Sequence, residues 1–184
     1  MTDTSTSSPA AAGARPVTVR CASCSTLNRV DLGRIASGPT CAKCKTPLHL
    51  DHPVRASDSD LGETIRTASV PVLVDFYADW CGPCRMTAPF LEQLASQHAG
   101  DLLVLKVDTD QNSRKAGEYG IQGIPTLIAF VQGRELRRHV GAADLATPES
   151  LRRPGPAGRC FAGPRPRSCS PPAGPPSFSD TPND

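Results

Sequence analysis

Residues 72–85 read Val72-Leu-Val-Asp-Phe-Tyr-Ala-Asp-Trp-Cys-Gly-Pro-Cys-Arg85. The first half is a near-continuous apolar run, the pattern of a strand buried on both faces. The second half opens a helix expected over Cys84–His98, with Phe90, Leu91, Leu94 and Ala95 as its apolar stripe. Met86 and Phe90 read as helix-face packing, and Pro89 as a bend. A helix N-terminus carries roughly half a positive charge, which favours a thiolate over a thiol. Cys81, at the cap, is therefore expected to be exposed, and Cys84, one turn in, to lie deeper and resolve a mixed disulfide. Gly82–Pro83 lets the two sulfurs come within bonding distance, so the pair can cycle between dithiol and disulfide. Asp75 interrupts the strand. A carboxylate there is costly unless paired or functional, and burial should raise its pKa.

Outward from this stretch the elements alternate. Ser57–Ala68 reads as a helix with Leu61, Ile65 and Ala68 on one face. Leu102–Val107 reads as a second buried strand and Gln111–Tyr119 as a short helix. Thr126–Val131 and Glu135–Val140 form a hairpin about Gln132–Gly133. Strands alternating with helices and ending in a hairpin give an α/β fold, a mixed sheet with flanking helices.

Val74 through Arg85 resembles the active-site stretch of thioredoxins, and further matches follow at the family's spacing. Lys106-Val-Asp108 resembles the strand that places a lysine near the buried aspartate. Gly123-Ile-Pro-Thr126 resembles the loop whose cis-proline faces the active site. Val140-Gly-Ala142 resembles the glycine loop on that face, and Asp110-Gln-Asn112 the start of a helix. The resemblance covers about residues 54–145 and implies a thioredoxin-like fold that reduces protein disulfides. It makes Cys81 the nucleophile and Cys84 the resolving thiol. It makes Asp75 the carboxylate assisting proton transfer at Cys84, and Lys106 its charge partner. Trp80, Gly82, Pro83, Ile124, Pro125 and Gly141 would form the substrate-docking face. An NADPH-dependent thioredoxin reductase would recharge the pair. A disulfide isomerase or oxidant is the competing enzyme reading, against which Gly82–Pro83 counts. A zinc-dependent interaction or holdase module with an impaired redox domain is the non-enzyme one.

Two more Cys-x-x-Cys pairs stand upstream, Cys21-Ala-Ser-Cys24 and Cys41-Ala-Lys-Cys44, 16 residues apart. This is the four-thiolate zinc pattern, a closed structural site with no position for a reacting water. Strand-like stretches follow at Thr26–Val30 and Pro47–Leu50. Iron, or a pair of redox-active disulfides, competes with one structural zinc ion. So few apolar residues cannot hold a fold alone, so the metal would supply the folding energy. Its loss is expected to unfold residues 17–52 while leaving much of the catalytic activity. A zinc ribbon before such a domain resembles the zinc-containing bacterial thioredoxins.

The 184 residues leave room for one full domain and a small satellite. The expected division is residues 1–16 disordered, 17–52 zinc ribbon, 53–152 thioredoxin domain and 153–184 a disordered Pro/Arg-rich tail, which holds 9 of the 19 prolines. With 20 basic and 18 acidic residues, nothing calls for nucleic acid. No apolar run approaches the ~20 residues of a membrane span, and the first residues lack the apolar centre of a signal peptide. A monomer in the cytoplasm is expected. A final helix starts at Thr147-Pro-Glu-Ser-Leu151 but meets Pro154, Pro156 and Gly158, so the C-terminal helix reads as missing. Apolar side chains near Phe130 and Val140 are then expected to be exposed. Cys160 and Cys169 match no ligand or redox spacing.

Overall fold

The structure, a computed structural model, describes residues 14–143. The start at Thr147, the tail and its two cysteines, and most of the N-terminal segment lie outside them. All described residues belong to one unit.

Two antiparallel strands, β1 (Pro16–Arg20) and β2 (Leu27–Asp31), come first, with Val19 opposite Asn28. A 3-10 turn at Leu32–Ser37 follows, with the Asp31 side chain accepting from Gly33 N. Then come β3 (Val54–Arg55), α1 (Leu61–Thr67), β4 (Val72–Tyr77), α2 (Gly82–Gln97), β5 (Leu103–Asp108), α3 (Ser113–Glu118), β6 (Thr126–Val131) and β7 (Arg134–Val140). The second sheet has the order β3-β5-β4-β6-β7. β4 is parallel to β5 and antiparallel to β6. Gln132 and Gly133 both take positive φ in the β6–β7 hairpin (51° and 80°), as a two-residue turn that follows the strand twist requires.

Alternation along the central strands sorts the core into two layers. Val72, Val74 and Phe76 of β4 share one face with Leu103, Leu105, Val107, Ile128 and Phe130. Leu73 shares the other with Val104, Leu127, Ala129 and with Leu91, Leu94 and Ala95 of α2. The first face is covered by α1 through Leu61 and Ile65, and also by the N-terminal module through Val17, Val19, Leu32, Leu48 and Leu50. Polar ties hold the module there. Thr64 Oγ1 donates to Thr18 O at 2.7 Å, Ser69 N to Pro16 O at 3.1 Å, and Arg20 Nε lies 3.0 Å from Asp60 Oδ1.

Several expectations need correction. Phe130 is buried, at 3% exposure. Its parity puts it on the face of Phe76 and Ile128, where Tyr119 packs edge-on at 5.5 Å. Val140, at 60%, is open as expected. Met86 is 67% exposed rather than packed, and Phe90 is only half-buried. The buried stripe of α2 is instead Cys84, Thr87, Leu91, Leu94 and Ala95. Helix α1 starts at Leu61 because Ser57–Asp60 is a turn, closed by Ser57 N donating to Asp60 Oδ1 at 3.1 Å. Pro47–Leu50 is no strand; it makes one bridge, Thr40 to Pro47.

Candidate functional site

Strand β4 delivers Asp75 to the interior and the chain then turns through Ala78–Trp80. Cys81 is the N-cap of α2, and its Sγ accepts from Cys84 N at 3.1 Å. Pro83 sits in the first turn, where no backbone donor is missed. Cys81 and Cys84 are joined as a disulfide, with Cα atoms 5.3 Å apart. The motif by itself puts Cys81 in the open, and the structure corrects this. Both residues are 4% exposed, since each sulfur covers the other and Ile124 packs against them with Tyr77 and Ala78.

The asymmetry of the pair lies instead in the groove beside it. A cavity of about 530 Å³ is walled by Trp80, Cys81, Gly82 and Pro83 on one side and by Ile121, Gly123 and Ile124 on the other. Cys81 lines it and Cys84 does not. Of the docking residues named from sequence, Trp80, Gly82, Pro83 and Ile124 reach this wall. Pro125 is buried behind it, in a cis bond with Ile124, and Gly141 donates its N–H to Pro125 O at 2.8 Å. Trp80 is 69% exposed, held by its Nε1 donating to Asp110 Oδ2 at 2.8 Å. In the sequence Asp110 reads only as the approach to a helix. The 30-residue separation leaves no local signal for this contact.

Asp75 is 1% exposed, and its Oδ1 has no hydrogen-bond partner. Burial pushes its carboxyl up to about 7, and the charge of Lys106 opposes the rise. Lys106 stands directly across from Asp75 in the β4–β5 ladder, so the two share a sheet face. Its Nζ lies over the Tyr77 ring, 4.3 Å from the centroid.

This has a measurable consequence. An unfolded aspartate titrates near 3.9. Between about 4 and 7 the unfolded chain has released a proton that the folded chain keeps. Stability therefore falls as pH rises through that window. Asp75→Asn removes the penalty. It should be more stable than the native chain at pH 8 by a few kcal/mol, at about 1.4 kcal/mol per unit, with the gap closing toward pH 4. Urea melts at pH 4.5, 6 and 8 would measure it, and a gap independent of pH would contradict it.

The four upstream thiols converge. Cys21, Cys24, Cys41 and Cys44 are free, and their sulfurs all lie within 4.8 Å of one another. Cys21 and Cys44 are 3.5 Å apart, and Cys24 and Cys41 3.6 Å. A metal–sulfur bond of ~2.3 Å in a tetrahedron gives sulfur–sulfur edges of about 3.8 Å, so the cluster fits one ion. Each knuckle is closed the same way. Ser25 N donates to Cys21 O at 2.9 Å and Lys45 N to Cys41 O at 3.0 Å, with Ser25 and Lys45 at φ 57° and 64°. Ligands must be deprotonated. The Cys44 N–H, with further help from Lys43, lowers Cys41 to about 6. The Thr46 hydroxyl lowers Cys44. For Cys21 the Cys24 N–H pulls down, but burial and the neighbouring thiols outweigh it.

The thioredoxin family model matches residues 52–151, and the family model described as "Thioredoxin 2, N-terminal" matches residues 20–46. The chain is 45% identical over 93 residues to Thioredoxin 1 of Nostoc sp., covering 50% of this chain and 87% of that one. It is 50% identical over 82 residues to Thioredoxin 1 of Chlorobaculum tepidum, covering 45% and 81%. Against Thioredoxin C-3 of Corynebacterium nephridii the match is 35% over 122 residues, 66% of this chain and 83% of the other. Among solved structures it resembles a point-mutant thioredoxin from Halobacterium salinarum. The TM-score is 0.52 and the identity 37%, over 59% of this chain and 98% of that one.

Proposed function

This chain belongs to the thioredoxin family and is a thiol–disulfide oxidoreductase, and we propose that it reduces protein disulfides with Cys81 as nucleophile and Cys84 as resolving thiol. The observation that carries the assignment is that Cys81 alone of the pair lines the docking groove. The Cys81 thiolate attacks one sulfur of a client disulfide. The client S–S bond breaks and the other client sulfur leaves as a thiol after protonation. Cys84, giving its proton to Asp75, then attacks the Cys81 sulfur and releases the second client thiol. Two electrons reach the client, and the chain is left with the Cys81–Cys84 disulfide. Asp75 is suited to its step by a carboxyl near 7 and an Oδ1 free to take a proton. Lys106 limits how far that carboxyl rises. Trp80, Gly82, Pro83 and Ile124 hold an extended client segment beside Cys81, with Pro125 and Gly141 shaping the wall from behind. An NADPH-dependent thioredoxin reductase returns the pair to the dithiol.

The four-cysteine cluster is compatible with a metal site. In our reading it holds one zinc through Cys21, Cys24, Cys41 and Cys44. When bound, zinc supplies folding energy and no reaction chemistry. The same donors would accept iron, so metal analysis is part of the test. The proposed setting is the cytoplasm, where thiols are kept reduced. No helix among the described residues is long and apolar enough to cross a membrane, and the protein is proposed to act as a monomer.

The test is insulin reduction with dithiothreitol, and separately with NADPH and a thioredoxin reductase, on purified protein of assayed metal content. The expected result is rapid insulin precipitation, reductase-dependent NADPH oxidation and about one zinc per chain. Insulin reduction no faster than dithiothreitol alone would overturn the catalytic reading. Metal-free protein with a folded N-terminal module would overturn the zinc reading.

A further inference from the structure

The two knuckles are an eight-residue repeat. Cys21-Ala-Ser-Cys-Ser-Thr-Leu-Asn28 aligns with Cys41-Ala-Lys-Cys-Lys-Thr-Pro-Leu48. The repeat extends to contacts. Cys24 Sγ reaches Thr26 Oγ1 at 3.4 Å and Cys44 Sγ reaches Thr46 Oγ1 at 3.3 Å. It breaks at the last position, where Leu48 is apolar and packed in the core while Asn28 is polar and buried at 6% exposure. A buried amide in a strand is unfavourable unless its groups are bonded.

Asn28 is bonded on both sides, and across the repeat. Its Oδ1 accepts from Ala42 N of the opposite knuckle at 2.9 Å. Its Nδ2 donates to Thr26 O of its own knuckle at 2.8 Å and lies 3.6 Å from Cys41 Sγ. The amide orientation is fixed by these partners. Reversing it would set N–H against the Ala42 N–H and oxygen against the Thr26 oxygen. With one Nδ2 hydrogen on Thr26 O, the other remains for the Cys41 sulfur.

We propose that Asn28 is a positioning residue for the metal centre: its side chain locks the two knuckles in register and directs one N–H at the Cys41 sulfur. The inference rests on the reading of the four cysteines as a zinc site. It assigns the two cysteines of the second knuckle unequal standing. Cys41 is buried and braced from the first repeat, while Cys44 is exposed. Partners that orient a ligand typically change metal affinity 10–100-fold when removed.

The test is zinc affinity of the full chain, by competition against a chelator of known strength. Asn28→Leu installs the side chain that the second repeat already carries. It should weaken zinc binding by about 10–100-fold, and speed zinc transfer to the chelator. Asn28→Asp keeps an acceptor for Ala42 N but places no donor at the sulfur, and should weaken binding in the same direction even if the leucine variant fails to fold. If both variants fold and hold zinc within about 3-fold of the native chain, Asn28 is a structural residue only and the inference is wrong. A native chain that binds no zinc would remove the metal reading itself, and this inference with it. Native binding with unchanged variants removes only the role of Asn28.

Discussion

Cys81→Ser will bring disulfide reduction down to the uncatalysed background, while Cys84→Ser will accumulate mixed disulfides with client proteins. Both outcomes follow from the groove. Attack requires a thiolate that a client sulfur can approach, and a serine hydroxyl is not ionised near neutral pH. Cys81 caps α2, receives the Cys84 N–H and lines the cavity with Trp80 and Pro83. Cys84 is inside the first turn and outside that lining. Without Cys84 the first step still proceeds, and nothing displaces the client from Cys81. Non-reducing gels of tagged variants exposed to oxidised client protein read this directly. Equal trapping by the two variants would mean that the roles are shared or reversed. Asp75→Asn in the Cys84-intact chain should slow resolution without slowing the first attack, so client adducts should become transiently visible above pH 7.

The fold around this site is legible in the sequence because its signals are local. A near-continuous apolar run, a helix-opening Cys-Gly-Pro-Cys and a two-residue turn at Gln132–Gly133 each carry their geometry within a few positions. Asp75 stands out because a charge in that run has few innocent explanations. Element ends are less legible. The side chain of Asp60 ties Ser57 into a turn and also meets Arg20, 40 residues away, and the helix waits until Leu61. The exposure of Cys81 is not legible, because it depends on the redox state and on Ile124, neither of which the motif contains. The burial of Phe130 is hidden because the cover of its face comes from Tyr119 and from a module at the other end of the described chain. Asn28 and Asp110 are invisible as site residues for the same reason. Each acts on a cysteine or tryptophan reached only after folding.

That shared face sets the last and largest expectation, the effect of removing the metal. Taken as a separate ribbon, residues 17–52 would unfold alone and leave much of the catalytic activity. The structure gives them a different part. Val17, Val19, Leu32, Leu48 and Leu50 are buried in one cluster with Val74, Phe76, Leu105 and Ile128. Val74 and Phe76 flank Asp75 on β4, and Leu105 precedes Lys106 on β5. Burying each large apolar side chain contributes roughly 1.5–3 kcal/mol. Five of them approach the ~5–15 kcal/mol that holds a whole domain together. The knuckles that place these side chains have little else to fold them. Stripping zinc from the reduced protein should therefore uncover the part of this sheet face that α1 does not cover. The metal-free chain should melt about 10–20 °C lower, the shift expected if roughly 5 kcal/mol of this packing is lost, at about 2–4 °C per kcal/mol for a chain of this length. Activity should fall in parallel with the lost structure, and both should return on adding zinc. Calorimetry of the zinc-loaded chain should show one transition. Two separate transitions, with insulin reduction unchanged after zinc removal, would establish that the module folds apart from the sheet it covers.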